Sequence, residues 1–67
     1  MNIEKAPGSM VFMSYEEAVL YCRFLEYNDH KDWRLPTEEE YAHHNLYGWY
    51  LNDPASGMWS VLAVRDI

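Results

Sequence analysis

The residues best suited to metal chemistry lie between positions 39 and 44. Glu39 and His43 are four residues apart, and so are Glu40 and His44, so each pair would share one face of a helix. Adjacent helical residues point about 100° apart, so His43 and His44 cannot converge on one ion from a regular helix. A catalytic zinc site takes three protein ligands, and the spacing dictates no third ligand here. We therefore expect surface pairing, with no metal site and no cofactor.

Cys22 is the only cysteine, so it is the one candidate thiol nucleophile and the chain cannot form an internal disulfide. It has no base near it in the sequence, and nucleophilic catalysis requires one. It also lies on an apolar stripe, where burial raises the pKa of a thiol. The three glycines, Gly8, Gly48 and Gly57, are isolated and form no phosphate-binding loop. The residues therefore predict a protein that is not an enzyme.

Two capping boxes predict where the helices begin. The Ser14 hydroxyl can accept a hydrogen bond from the amide of Glu17, and the Glu17 carboxylate can reach back to the amide of Ser14. Thr37 and Glu40 repeat this arrangement. The caps predict helices over about residues 15–27 and 38–46. The carboxylates of residues 38–40 fall on the first turn of the second helix, where the helix dipole favours them. The acidic block therefore has a structural explanation.

A stiff turn, Arg34-Leu35-Pro36, separates the two predicted helices. The residue before a proline is held extended, so Leu35 cannot be helical and Thr37 is free to cap the second helix. Arg34 lies just before the acidic block and can offset the crowding of its charges. Trp33, next to this turn, is expected to pack in the core.

The remaining segments predict an irregular start and two short strands. Residues 1–9 read as an irregular leader, because Pro7 and Gly8 interrupt any periodicity. Residues 10–13 form a short apolar run with the composition of a strand. Residues 58–65 alternate imperfectly and are apolar on both faces, which is typical of a central strand or of one covered by a partner. One face would carry Trp59, Val61 and Ala63, and the other Met58, Leu62 and Val64.

The order strand, helix, helix, strand predicts a single small α+β domain over residues 10–67. In this prediction two short helices pack on a small antiparallel sheet. A chain of 67 residues buries only about 60% of its unfolded surface, so the core is expected to be marginal.

Composition and charge narrow the classes of function. The net charge is −6, so phosphate backbones would repel the chain and direct nucleic-acid binding is not expected. The longest apolar run is far too short to span a bilayer, and the N-terminus has no hydrophobic segment of the secretory type. We expect a cytoplasmic protein, which would lie in the host cytoplasm if a phage encodes it.

Three segments resemble the formylglycine-generating enzyme, or sulfatase-modifying factor, family. Residues 11–25, VFMSYEEAVLYCRFL, look like its V-x-V-S-W-x-x-A-x-x-Y-C-x-W-L segment. Residues 34–41, RLPTEEEY, are similar to its R-L-P-T-E-A-E-W, and residues 61–66, VLAVRD, are weakly similar to its closing G-F-R-L-V-R-D. The resemblance implies a reduced variant of the C-type-lectin-like fold.

The same resemblance argues against the family's activity. That activity depends on a close pair of cysteines that bind copper, in a region with no counterpart in this chain. Cys22 matches the helix cysteine of the motif, which looks like a packing residue. The resemblance therefore implies a miniature of the scaffold without its reactive centre.

Aromatic residues point to binding, because a chain with three Trp, six Tyr and two Phe cannot enclose all their rings in so small a core. Exposed Tyr and Trp side chains commonly anchor protein contacts. The predicted partner-binding residues are Tyr47, Trp49 and Tyr50, with Trp59 beside them. For Trp49 and Tyr50, contact and core are equally favoured, whereas core is the favoured interpretation for Trp59.

We therefore predict a non-catalytic interaction module, a small accessory or regulatory protein that binds a protein partner or self-assembles. There are two alternatives: the protein is a structural part of a larger assembly such as a virion, or it is an acidic DNA mimic that inhibits its target. Carbohydrate binding ranks below these, because Asn52 and Asp53 are the only local trace of a calcium-binding lectin loop.

Overall fold

The computed structural model describes residues 2–67 and contains four elements. They are β1 (Ile3–Lys5), α1 (Tyr15–Phe24), α2 (Glu38–His43) and β2 (Val64–Asp66). The two strands form an antiparallel sheet, so the protein has the predicted α+β class. No helix within residues 2–67 has both the length and the apolar character needed to cross a membrane.

The core is built around residues 61–64, which are all buried. Val61 and Ala63 belong to the cluster on which α1 packs, whereas Leu62 and Val64 belong to the cluster beside α2. This alternation matches the one predicted from the sequence, although only Val64 lies within β2. The larger cluster comprises Ala6, Ala18, Cys22, Trp33, Leu35, Trp49, Val61 and Ala63.

The prediction of an irregular leader over residues 1–9 is wrong for Ile3–Lys5, which form β1, and Met1 lies outside the described residues. Ile3 lies opposite Asp66 and Lys5 opposite Val64. The Ala6 amide then donates a hydrogen bond of 3.0 Å to the Ala63 carbonyl. Residues 3–6 are thus held along residues 63–66, a pairing that no local sequence pattern predicts.

The predicted strand at residues 10–13 is a bulge. The Ser9 amide donates to the Val61 carbonyl at 2.8 Å, and Met13 and Trp59 exchange both backbone hydrogen bonds at 2.9 and 3.0 Å. Between these two pairing points the N-terminal segment has three residues and its partner only one. The extra residues loop out, so the three side chains of residues 10–12 are exposed.

Both predicted capping boxes are present. The Glu17 amide donates to Ser14 Oγ at 3.3 Å, and the Ser14 amide donates to Glu17 Oε1 at 2.9 Å. In the second box, the Glu40 amide donates to Thr37 Oγ1 at 3.1 Å, and the Thr37 amide donates to Glu40 Oε1 at 2.9 Å.

Both helices end earlier than predicted. Leu25 is already extended, with ψ at 127°, and a tight turn follows in which Asn28 and Asp29 have positive φ. The second helix stops at His43, because Asn45 has a φ of 54° and no regular helix continues through a left-handed residue. Gly48 lies beyond the end of this helix.

The Arg34-Leu35-Pro36 turn joins α2 to the end of the chain. The Arg34 backbone exchanges two hydrogen bonds of 2.8 Å with Val64, so Arg34 extends the sheet by one bridge. Its guanidinium donates to both carboxylate oxygens of Glu40, at 2.8 and 2.9 Å, and to Asp66 at 2.7 Å. Arg34 thus has the charge-offsetting contact expected of it, and Pro36 is fully buried.

Candidate functional site

Trp49 lies in the core, with 1% of its surface exposed, so its assignment as a partner-binding residue is wrong. Its indole N–H donates a hydrogen bond of 2.7 Å to the Met13 carbonyl. Tyr15 of α1 packs edge-on against its ring, with centroids 5.5 Å apart. Since both its apolar surface and its only donor are satisfied inside the protein, Trp49 is a structural residue.

Trp59 behaves in the opposite way, because 48% of it is exposed although core was the favoured interpretation. The side chain is nevertheless fixed. Its indole N–H donates to the Ser56 carbonyl at 3.2 Å, its backbone pairs with Met13, and its ring stands edge-on to Trp49 at 6.5 Å. These contacts hold an exposed indole in one orientation.

Trp59 forms one wall of a depression of about 430 Å³ that we call the aromatic groove. Three other rings line it, those of Phe12, Tyr41 and Tyr47. Asp53 supplies its single carboxylate, and no Lys or Arg side chain contributes to its lining. The groove is therefore an aromatic surface with one acidic group.

Tyr47 is half exposed, and its hydroxyl lies directly over Gly8, where a methyl group on the backbone would overlap it. Gly48, the next residue, has a φ of 83°, and its backbone lies against the Ser60 carbonyl with no room for a side chain. These close approaches place Tyr47 beside two segments, the one that continues to Phe12 and the one that contains Trp59.

Tyr50 does not line the aromatic groove. It is half-buried, and its ring packs on Tyr41 of α2 with centroids 4.8 Å apart. Desolvation, followed by the negative charges of Asp53 and Glu38, raises the pKa of the Tyr50 hydroxyl. Tyr50 therefore supports the wall of the groove, and its neighbourhood carries negative charge.

The groups considered for catalysis or metal binding are not assembled into a site. Burial raises the pKa of the Cys22 thiol to about 11, which keeps it protonated at neutral pH. The His43 and His44 rings stand edge to face at 4.9 Å. Within residues 2–67, no three His, Cys, Asp or Glu side chains are grouped as metal ligands.

A second apolar surface lies on α1. Leu20 and Phe24 are 50% and 75% exposed, and with Tyr21, Leu25 and Glu26 they line an open depression of about 500 Å³. We call this surface the α1 face. This surface was not predicted from the sequence.

Phe12 and Asp53 of the aromatic groove were not predicted from the sequence as binding residues. Residues 10–13 were predicted to form a strand. The signal against a strand was the absence of alternation in this run, just after Pro7 and Gly8. Asp53 was identified only as part of a loop.

Comparison with known protein families, with curated proteins and with solved structures yields no match for this chain. The similarity of residues 11–25 and 34–41 to the formylglycine-generating enzyme family stays a prediction from the sequence.

Proposed function

We propose that this protein is a non-catalytic protein-binding module and that the aromatic groove is its contact surface. The observation that carries the proposal is Trp59, which is about half exposed yet fixed by a hydrogen bond from its indole, by backbone pairing and by Trp49. Trp is among the residues that contribute most to protein interfaces. A side chain that is already ordered loses little further entropy on binding, which favours affinity.

Exposed apolar residues that neighbour Phe12 and Trp59 in the chain support the same function. Met10, Val11 and Phe12 project from the bulge with 97%, 66% and 61% of their surfaces exposed, and Met58 beside Trp59 is 53% exposed. Single exposed apolar residues are ordinary, but a group of them around a concave aromatic surface is typical of interaction sites. Methionine side chains are flexible and adapt to the shape of a partner.

The proposal is tested by capturing partners from an extract of the producing cell on the immobilised protein. Wild type, Trp59→Ala and Phe24→Ala would be compared, because both variants remove one exposed ring but from different surfaces. We expect one protein to be retained by wild type and Phe24→Ala and lost with Trp59→Ala. Equal retention by all three would contradict the assignment of the groove.

Self-association through the α1 face is a second candidate, carried by the exposure of Leu20 and Phe24. Light scattering coupled to size-exclusion chromatography distinguishes the two. If the α1 face joins two copies, the mass of wild type rises to that of a dimer as the protein concentration is raised, and Phe24→Ala stays a monomer. A monomeric mass at all concentrations would remove this candidate and leave the groove proposal intact.

We also propose that the chain is a reduced form of the C-type-lectin-like scaffold. The support is the placement of its motifs, because the two similar segments form the capped helices and the closing segment pairs with both the N-terminus and Arg34. An experimental structure that superimposes on no lectin-like domain would overturn this part of the proposal.

A further inference from the structure

We propose that the aromatic groove accepts the side chain of a lysine or arginine presented by the partner protein. This inference rests on the proposed function and specifies the chemistry of the residue that the groove recognises. It follows from three properties of the groove: its aromatic walls, the free oxygen of its only carboxylate, and the negative charge around it.

The walls suit a cation on an apolar stem. Four rings line the groove, and the faces of Trp and Tyr rings attract an ammonium or guanidinium group within about 6 Å. The methylene groups of lysine and arginine can pack along the same rings while the charged end stays near the polar edge. A volume of about 430 Å³ is ample for one such side chain.

Asp53 supplies an acceptor for the charged end. One of its carboxylate oxygens, Oδ1, accepts a hydrogen bond of 2.9 Å from the Ala55 amide, which holds this lining side chain in place. The other oxygen accepts no hydrogen bond from residues 2–67, so it is free for a donor that enters. A hydrogen bond between an ammonium or guanidinium and a carboxylate is stronger than one between neutral groups.

The surrounding charge selects against anions. The net charge of the chain is −6, and no Lys or Arg side chain lines the groove. Two of the arginines are committed elsewhere, Arg34 to Glu40 and Asp66, and Arg65 to Glu4 and Asp32. Desolvation raises the pKa of Tyr50 beside the groove, and the negative charges of Asp53 and Glu38 act in the same direction. An acidic or phosphorylated segment would therefore be repelled.

The test uses small probes and ¹⁵N-labelled protein, in which the indole N–H of Trp59 reports on the groove. Nα-acetyl-lysine amide and Nα-acetyl-arginine amide are titrated, and Nα,Nε-diacetyl-lysine amide serves as a neutral probe of similar length. We expect saturable shifts of the Trp59 indole signal with both cations and at least about tenfold weaker binding of the neutral probe. Equal binding of the neutral and charged probes, or no shift with either cation, would overturn the inference.

Asp53→Asn and Asp29→Asn provide a matched pair of variants. Both remove one negative charge, but Asp29 is exposed in the turn after α1 and does not line the groove. Asparagine at position 53 can still accept the Ala55 hydrogen bond, so the loop is expected to keep its shape. We expect Asp53→Asn to weaken lysine binding about tenfold and Asp29→Asn to leave it within twofold. An equal loss in both would show only a general charge effect and would contradict the inference.

The outcome is separable from that of the proposed function. If the groove captures a partner but the probes show no preference for charge, the partner is bound by apolar contact and only the inference on lysine and arginine fails. If the Trp59→Ala variant retains every captured protein, the proposed function itself fails.

Discussion

At the residue scale, Arg34 connects three parts of the molecule through one guanidinium group. It donates to both oxygens of Glu40, whose residue surface is only 3% exposed, and to Asp66 near the C-terminus. A bidentate pair of this kind is among the stronger polar contacts in proteins, and breaking it would leave a buried carboxylate without its cation.

Replacing Arg34 by methionine is therefore expected to destabilise the protein severely. We expect a loss of about 3 kcal/mol or more in the free energy of unfolding, a large part of the stability of so small a domain. Lys31→Met is the control, because the Lys31–Glu26 pair is 3.4 Å long and its side chains are 78% and 67% exposed. Exposed pairs contribute about 1 kcal/mol at most. Urea unfolding measures the free energy of unfolding of both variants. Similar losses in Arg34→Met and Lys31→Met would contradict the stabilising role given to the Arg34–Glu40 pair.

The lowered pKa of Glu40 makes the stability of the protein depend on pH. The hydrogen bonds from Arg34, aided by the Thr37 amide, lower the pKa of Glu40 from the ordinary value of 4.5 to about 2. The unfolded chain therefore takes up this proton first as pH falls. The stabilisation from Glu40 is complete above about pH 4.5 and is lost progressively towards pH 2, a change of about 3 kcal/mol.

The measurement is the free energy of unfolding between pH 6 and pH 2 for wild type, Glu40→Gln and Glu39→Gln. We expect Glu40→Gln to be less stable at neutral pH but to lose less stability in acid. Some acid sensitivity will persist, because hydrogen bonds lower the pKa of Glu4, Glu17 and Asp32 as well. Glu39 is exposed, so its variant should follow wild type. If the free energy of unfolding fell equally with pH in wild type and Glu40→Gln, protonation of Glu40 would not be a source of the acid sensitivity.

At the scale of elements, the first helix depends on its cap. α1 has only ten residues, a length at which an isolated helix is marginal in water. We expect Ser14→Ala to cost about 1 kcal/mol, which lowers the melting temperature by about 4–8 °C in a domain of this size. Ser56→Ala is the control, because Ser56 is exposed and its hydroxyl makes no hydrogen bond with residues 2–67. Equal melting temperatures for the two variants would contradict the role of the cap.

The helix starts could be predicted because a capping box is local. Its donors and acceptors lie within three residues of each other, as for Ser14 and Glu17. β1 could not be predicted, because Ile3–Lys5 is too short to show alternation and its partner lies about sixty residues away in the chain. The helix ends were placed too late because Asn28, Asp29 and Asn45 adopt left-handed conformations that asparagine and aspartate tolerate but do not require.

At the scale of the whole molecule, the aromatic composition predicted that some rings must be exposed but not which ones. Trp49 and Trp59 both lie near loops, yet Trp49 is 1% exposed and Trp59 is 48% exposed. The contacts that bury Trp49 lie far away in the chain, since its indole N–H donates to the Met13 carbonyl thirty-six residues earlier. Phe12 was missed for a similar reason, because the bulge that exposes it exists only when the two ends of the chain pair.

The proposed binding surface depends most directly on Trp59, and the dissociation constant of the captured partner tests this dependence. Isothermal titration calorimetry would compare wild type, Trp59→Ala and Phe24→Ala, after thermal unfolding has shown that each variant is folded. We expect Trp59→Ala to raise the dissociation constant by at least about 30-fold, as loss of a central interface tryptophan does, and Phe24→Ala to change it less than twofold. A dissociation constant for Trp59→Ala within twofold of wild type would contradict the account.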